Sequence, residues 1–190
     1  MRLFIAIAFS EKVKRELEKS AALLRSACVK GSFSPRENYH LTLSFLGEQP
    51  ESRLAAIKSA MDACACPRSQ LRIGGLGRFR QRDGDVLWRS VELPAELLQM
   101  QRELSRRLSD AGFSPEDREF RPHLTLARRA ELRAGESLQN LSEKLEDIDF
   151  TPGGISLMLS RHRDGRQVYT CLYERKDKTE EARAYDGRHP

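Results

Sequence analysis

The alternation of hydrophobic and polar residues predicts a chain in which strands and helices follow one another. Residues 2–9 form a short apolar run with the length and composition of a buried strand. Residues 11–28 repeat apolar side chains every three or four positions and follow Ser10, a residue type that caps helices. Residues 30–38 contain glycine, proline and asparagine, which predicts a loop.

The rest of the chain continues this pattern. Pro50 and Pro94 stand near the starts of two further amphipathic segments, a position that proline tolerates in helices. The predicted order is strand, helix, strand, helix, strand, strand, helix, strand, helix, strand, strand. Later strands are predicted over 70–79, 86–93, 149–162 and 167–174, and a short helix over 138–145.

One four-residue segment, HLTL, occurs twice, at residues 40–43 and 123–126. Each copy follows a Ser-Pro loop and lies in a strand that is preceded and followed by a helix. The second half of the chain therefore echoes the first. This repeat predicts two similar α+β lobes related by an approximate two-fold axis.

The motif places polar side chains on one face of each predicted strand. Because strand side chains alternate between faces, His40 and Thr42 share one face while the two leucines share the other. The second copy repeats this arrangement with His123 and Thr125. If the lobes face each other, two imidazoles and two hydroxyls converge on one cleft.

These residue types suit the cleavage of a phosphoester without a metal ion. Two histidines can act as general acid and general base near neutral pH. Threonine hydroxyls can donate hydrogen bonds to phosphate oxygens, and Arg128, five residues after the second histidine, can neutralise charge on a phosphate. Neither motif contains a carboxylate, and threonine is a weak metal ligand, so a metal site is not expected.

Composition and charge narrow the class of protein. The 190 residues are 39% hydrophobic and 32% charged, as expected of a soluble globular protein. The four cysteines include no Cys-x-x-Cys pair, which favours unpaired thiols in a reducing cytoplasm. The net charge of +5 favours a polyanionic partner such as nucleic acid. The first apolar run is too short for a membrane span and lacks the cleavage site of a signal peptide.

At the two motifs the chain resembles the two-histidine phosphoesterases, and within them the RNA 2′,3′-cyclic phosphodiesterases of the LigT-like, or 2′-5′ RNA ligase, branch. The stretches RLFIAIAF, ENYHLTLSFLGE and FRPHLTLAR carry this resemblance. It implies an α+β fold of two lobes, with antiparallel sheets lining a central cleft and helices packed outside. It also implies one domain over residues 1–175, followed by a charged extension over 176–190.

The resemblance further implies hydrolysis of a terminal 2′,3′-cyclic phosphate on RNA to a 2′-phosphomonoester, without a metal or another cofactor. His40 then corresponds to the proton donor and His123 to the acceptor that activates water. Thr42, Thr125 and Arg128 correspond to the residues that hold the phosphate. The implied partner is RNA with 2′,3′-cyclic phosphate ends, tRNA fragments among them. We expect a monomer, because no exposed heptad or long apolar patch in the sequence calls for a second subunit. The reverse reaction would join RNA ends through a 2′-5′ linkage.

Two other interpretations remain open from the residues alone. One is a non-catalytic module that binds RNA or a nucleotide in the same cleft. The other is a related phosphoesterase that acts on 2′-5′ oligoadenylate or on an ADP-ribose cyclic phosphate. The presence of both histidines and both threonines favours an enzyme, because a binding module has no need of two imidazoles.

Overall fold

A computed structural model describes residues 1–65, 69–116 and 119–176, and these residues form nine strands and four α-helices. The strands are β1 (Arg2–Ala8), β2 (Cys28–Phe33), β3 (His40–Glu48), β4 (Leu71–Phe79), β5 (Asp85–Glu92), β6 (His123–Leu132), β7 (Ile148–Phe150), β8 (Gly154–Arg163) and β9 (Arg166–Lys176). The helices are α1 (Glu11–Ala27), α2 (Leu54–Asp62), α3 (Ala95–Asp110) and α4 (Leu138–Ser142), with 3₁₀ turns at Arg36–Asn38 and Glu51–Arg53. Of the predicted charged extension 176–190, residues 177–190 lie outside the described residues.

The strands form two antiparallel sheets, which confirms the predicted α+β class. The first sheet has the order β3-β1-β8-β9, and the second has the order β2-β6-β5-β4-β7. Every neighbouring pair of strands is antiparallel. The two HLTL copies therefore lie on different sheets, with β3 in the first and β6 in the second. These two strands approach each other where the sheets meet.

Both sheets combine elements from the two halves of the chain. Helix α1 and strand β2 come from the first half, yet they pack with β6 in the second sheet. Helix α3 follows β5 in sequence, yet it packs near β3 in the first sheet. Strands β8 and β9 complete the first sheet from the C-terminal side of the chain. Each histidine therefore depends on residues that are distant in sequence.

The hydrophobic core lies on the sheet faces that carry the motif leucines. Leu41 and Leu43, like Leu124 and Leu126, are at most 2% exposed, whereas the histidine and threonine of each motif are half-buried. The prediction that the leucines pack inward and the polar pair faces outward is confirmed. Ser10 caps α1 as predicted, because its side chain accepts a hydrogen bond from the backbone N–H of Val13.

The loop predicted over 30–38 is wrong for its first part, because β2 ends only at Phe33. The strand pairs with β6, with Ser32 opposite Arg128 and Phe33 opposite Ala127. Gly31 lies against Ala130, where an added Cβ would come within 3.3 Å of the alanine methyl. The glycine that suggested a loop thus allows close packing in a sheet, and the partner strand supplies the order that the local sequence lacks.

The single strand predicted over 149–162 is also wrong, because it is two strands in two sheets. β7 pairs with β4 in the second sheet, whereas β8 pairs with β1 in the first. The chain changes sheet at residues 151–153, which include Pro152, a residue that cannot donate to a strand ladder. The short helix predicted over 138–145 exists but ends at Ser142. Within the described part of the chain, no helix combines the length and apolar character needed to cross a membrane.

Candidate active site

The two motif histidines occupy equivalent places at the first residues of β3 and β6. His40 lies opposite Ala8 on β1, and His123 lies opposite Ser90 on β5. Each is half-buried and followed by a buried leucine.

The same hydrogen bond orients both imidazoles. Nδ1 of His40 lies 2.7 Å from the carbonyl oxygen of Asn38, and Nδ1 of His123 lies 2.7 Å from that of Arg121. In both cases the carbonyl belongs to the residue two positions earlier. Because a carbonyl oxygen can only accept, each Nδ1 carries the proton and donates it. Nε2 is therefore the nitrogen of each ring that exchanges a proton.

The second nitrogen of His40 meets the threonine of its own motif. Nε2 of His40 lies 2.9 Å from Oγ1 of Thr42. When the imidazole is neutral, Nε2 can only accept, so the threonine hydroxyl is the donor. The hydroxyl proton then points at the histidine and away from any anion in the cleft.

Aromatic rings surround His40 on two sides. The ring of Phe4, on β1, lies 4.9 Å from the imidazole centroid at an angle of 39°. The ring of Tyr169, on β9, lies 5.2 Å away and meets the imidazole edge-on at 89°. These two rings also contact each other at 4.9 Å. The imidazole of His40 is thereby held in a largely apolar environment.

His123 has a similar pair of aromatic neighbours from the second sheet. Phe79 lies 4.9 Å from its ring at 89°, and Trp88 lies 6.1 Å away at 57°. The indole of Trp88 lies over Gly77 on the neighbouring strand, where a Cβ would come within 2.1 Å of the ring. Glycine at position 77 is thus required for Trp88 to take its place beside His123.

Burial changes the titration of His40. Removal from water lowers the pKa of His40 from 6.5 to about 4, because the charged imidazolium loses hydration. The carbonyl of Asn38 opposes this change, while the positive charges of Arg128 and His123 add to it. His40 is therefore neutral in the free protein near pH 7. The effect of Arg128 and His123 also shows that both groups lie within electrostatic reach of His40.

Arg128 reaches the cleft because β6 contains a bulge. Thr125 pairs with Trp88 but Ala127 pairs with Leu87, so β6 has one extra residue there. The bulge reverses the alternation of side chains, as bulges do when they re-aim a residue. Arg128 is exposed, and its charge acts on both His40 and Tyr169.

The guanidinium of Arg128 is available to an anion. Among the described residues no carboxylate forms an ion pair with it. Thr125 lies on the same strand as Arg128, two residues after His123 and half-buried like it. The cleft therefore presents a cation and hydroxyl groups beside two imidazoles, a set that suits a phosphate.

All five residues singled out by sequence lie on β3 and β6, on either side of the cleft. Contacts join His40 to Thr42, and electrostatic effects join it to His123 and Arg128. Sequence reasoning missed the four aromatic neighbours, because their contacts form only when distant strands pair. The carbonyls of Asn38 and Arg121 could have been found from their shared spacing, because each lies two residues before a motif histidine.

The described residues contain no group of three or more histidine, cysteine or acidic side chains arranged to hold a metal ion. Cys28 and Cys64 are buried, and Cys171 is exposed.

Comparisons with known proteins show the family of this chain. A family model described as the 2′-5′ RNA ligase superfamily matches residues 13–165. A Thermotoga maritima protein named RNA 2′,3′-cyclic phosphodiesterase is 35% identical over 187 residues, or 92% of this chain and 94% of its own. An Aeropyrum pernix protein of the same name is 36% identical over 145 residues, or 74% of this chain and 82% of its own. Against a longer Geobacillus stearothermophilus protein of that name, 31% identical over 129 residues, the match covers 41% of its length and 66% of this chain.

Solved structures show the same fold. The crystal structure of E. coli LigT complexed with 3′-AMP superposes with a TM-score of 0.75 and 24% identity. The match covers 93% of this chain and 98% of that one. The fold is therefore shared over nearly the whole length of both proteins.

Proposed function

This chain belongs to the 2′-5′ RNA ligase superfamily of hydrolytic two-histidine phosphoesterases, and from that premise we propose that it hydrolyses the terminal 2′,3′-cyclic phosphate of RNA to a 2′-phosphomonoester. One observation carries the proposal. Two imidazoles with the same orienting hydrogen bond lie at the starts of neighbouring strands, within electrostatic reach of the guanidinium of Arg128. The names of the relatives supply the substrate class.

In the proposed reaction, Nε2 of His123 takes a proton from water as the water oxygen attacks phosphorus. The bond between phosphorus and the 3′ oxygen breaks, and Nε2 of His40 gives a proton to that oxygen. The products are a 2′-phosphomonoester and a free 3′ hydroxyl. Arg128, Thr42 and Thr125 bind the negative charge that builds on the phosphate oxygens. With a 5′ hydroxyl in place of water as the nucleophile, the same steps on the cyclic phosphate would release the 3′ oxygen and join two RNA ends through a 2′-5′ linkage.

The neutral state of His40 requires an explanation in this scheme, because a proton donor must be charged. The substrate provides the explanation. A cyclic phosphate carries a negative charge, which favours the imidazolium and so raises the pKa of His40 above about 4. Substrate binding and protonation of His40 therefore favour each other.

The hydrogen bond to Thr42 strengthens this coupling. Once Nε2 of His40 is protonated, it becomes the donor and Oγ1 of Thr42 becomes the acceptor. The threonine hydroxyl proton is then released to bind a phosphate oxygen. A single proton on His40 thus prepares both the acid and one of the groups that hold the phosphate.

The test uses a short RNA ending in a 2′,3′-cyclic phosphate, with excess EDTA. We expect the wild type to open the ring to a 2′-phosphate, and His40→Ala and His123→Ala each to lose about 10²–10⁴-fold in kcat/KM, the usual contribution of a general acid or base. His162→Ala, at an exposed histidine of β8, is the control and should retain activity.

The products and substrates decide between the functions. Ring opening that survives in both histidine variants would place the chemistry elsewhere. Binding of the RNA without ring opening would indicate a binding module. The same enzyme is offered 2′-5′ oligoadenylate and an ADP-ribose cyclic phosphate, and faster turnover of either would replace RNA ends as the substrate.

A further inference from the structure

Strand β9 supplies a contact to His40 that the mechanism above does not use. Tyr169 meets the imidazole edge-on, with ring centroids 5.2 Å apart at 89°. It also packs edge-on against Phe4, the other ring beside His40, at 73°. No other described aromatic side chain touches both of these rings in this way. Tyr169 therefore closes one side of the space in which the imidazole lies.

A second tie joins the same strand to the same histidine. The side-chain amide of Asn38 donates to the carbonyl oxygen of Gln167, two residues before Tyr169, at 2.7 Å. The backbone carbonyl of Asn38 in turn accepts from Nδ1 of His40 at 2.7 Å. Asn38 thus links β9 to the nitrogen that fixes the tautomer of His40. Gln167 lies 129 residues from Asn38 in the sequence, whereas His40 lies only two residues away. Only the fold therefore brings Gln167 close to this histidine.

We propose that Tyr169 is a positioning residue for His40. The ring of Tyr169 packs perpendicular to the imidazole and holds it in the orientation in which Nε2 meets Thr42 and the substrate. The torsion that rotates an imidazole about its bond to Cβ is broad and weakly restrained. Two hydrogen bonds and the ring of Phe4 leave the neighbouring side of the imidazole to be closed, and Tyr169, which contacts both rings, closes it. This role rests on the proposed function, because it concerns the proton that His40 delivers.

The surroundings of Tyr169 indicate that its ring, and not its hydroxyl, acts on His40. Burial raises the pKa of the Tyr169 hydroxyl, although the charges of Arg128 and Arg2 oppose this change, so the side chain stays neutral where His40 titrates. Two charged groups on β6, Arg128 and His123, affect the pKa of His40, and Tyr169 on β9 faces it as a neutral group. Arg36, on the adjoining turn, forms an ion pair with Glu11. The ring of Tyr169 contributes by excluding water from the imidazole.

The experiment compares Tyr169→Phe, which keeps the ring, with Tyr169→Leu, which removes it. Tyr173→Leu is the matched control, because Tyr173 lies on the same strand but its hydroxyl bonds to Asp62 at the helical side. We expect Tyr169→Leu to lower kcat about tenfold to a hundredfold with little change in KM, as displacement of a catalytic group does. Tyr169→Phe and Tyr173→Leu should retain wild-type kcat.

Titration of His40, followed by NMR of the imidazole without substrate, gives a second measurement that needs no activity. We expect the midpoint to rise from about 4 toward 6.5 in Tyr169→Leu, because water reaches the ring, and to stay in place in Tyr169→Phe and Tyr173→Leu. An unchanged midpoint in Tyr169→Leu would overturn the proposal.

Equal loss of kcat in Tyr169→Phe and Tyr169→Leu would also overturn it, since the hydroxyl would then be the important group. If the wild type opened no cyclic phosphate, the proposed function would fail. The titration would still decide whether Tyr169 holds His40.

Discussion

The two histidine sites are built alike, yet they hold their imidazoles in different surroundings. Each histidine opens a strand, donates from Nδ1 to the carbonyl two residues earlier at 2.7 Å, and packs against two aromatic rings. The hydrogen bond of His40 is partly buried, however, whereas that of His123 is exposed to solvent. Phe4 and Tyr169 enclose His40 from two strands of the first sheet.

The contrast shows how a repeated motif can supply two different chemical groups. The HLTL motif accounts for the inward leucines that the sites share, and the carbonyl two residues before each histidine accounts for the shared ring orientation. The neighbouring strands decide how much water each ring meets. Burial lowers the pKa of His40 to about 4, so a phosphate must assist its protonation. Because His40 becomes charged only when the substrate is bound, it carries no proton that could pass to bulk water before the reaction.

The largest expected effect concerns the different roles of the two histidines. In a substrate with sulfur in place of the 3′ bridging oxygen, the leaving group is a thiol, with a pKa near 8.5, and needs little help from an acid. We expect the loss of about 10²–10⁴-fold in His40→Ala to shrink to less than about tenfold on this substrate. The loss in His123→Ala should be the same on both substrates, because water activation is still required.

The rates are measured as kcat/KM for each variant relative to the wild type on the same substrate, and release of the thiol confirms which bond breaks. Rescue of His123→Ala in place of His40→Ala would reverse the roles assigned to the two sites. Rescue of neither variant would mean that protonation of the leaving group does not limit the reaction.

The second effect is on stability, and it isolates the burial of His40. The pKa of His40 is about 4 when folded and 6.5 when unfolded, so the unfolded chain binds more protons between these values. Stability is therefore complete above pH 6.5 and is lost as the pH falls through 4. At about 1.4 kcal/mol for each pKa unit, the loss amounts to at most about 3 kcal/mol.

Denaturant unfolding at pH 7 and pH 4 measures this loss, with His40→Gln as the variant that cannot titrate. We expect the free energy of unfolding of His40→Gln to fall by about 3 kcal/mol less than that of the wild type over this range. His162→Gln, which removes an exposed histidine, should follow the wild type. Equal losses in His40→Gln and the wild type would show that His40 is not desolvated.

Sequence patterns predicted those features that depend only on neighbouring residues. Alternation in HLTL was enough to place His40 and Thr42 on one face and the leucines on the other, and helical spacing with Ser10 was enough to locate α1. These features depend on residues within one turn or one strand. The antiparallel sheets followed from the family resemblance, and the structure confirms them.

Features that depend on a distant partner were not predictable in this way. β2 is ordered by pairing with β6, although its own sequence is typical of a loop. Arg128 was singled out by spacing, but an ideal strand would turn it away from the cleft, and only the bulge between Thr125 and Ala127 brings it back. Tyr169 has no local signal at all, because its contact with His40 spans most of the chain.

The smallest expected effect is on anion affinity, and it tests the link between His40 and Thr42 directly. Sulfate keeps a charge of −2 from pH 4 to pH 8, so any pH dependence of its binding in this range comes from the protein. An anion beside His40 favours the imidazolium, and binding therefore takes up a proton at pH values above about 4. We expect the Kd for sulfate to rise by up to about tenfold per pH unit above that value.

Calorimetry at pH 5, 6 and 7, in buffers of different ionisation enthalpy, measures both the Kd and the protons taken up. His40→Gln should bind sulfate more weakly at pH 5 and lose most of the pH dependence, while His123→Gln should keep the part that belongs to His40. Thr42→Val removes the hydroxyl that protonated His40 releases, so its affinity should fall most at low pH, where the wild-type hydroxyl is free to donate. A wild type that binds sulfate without taking up a proton would mean that His40 does not face the anion, and the electrostatic difference between the two histidines would then have no part in binding.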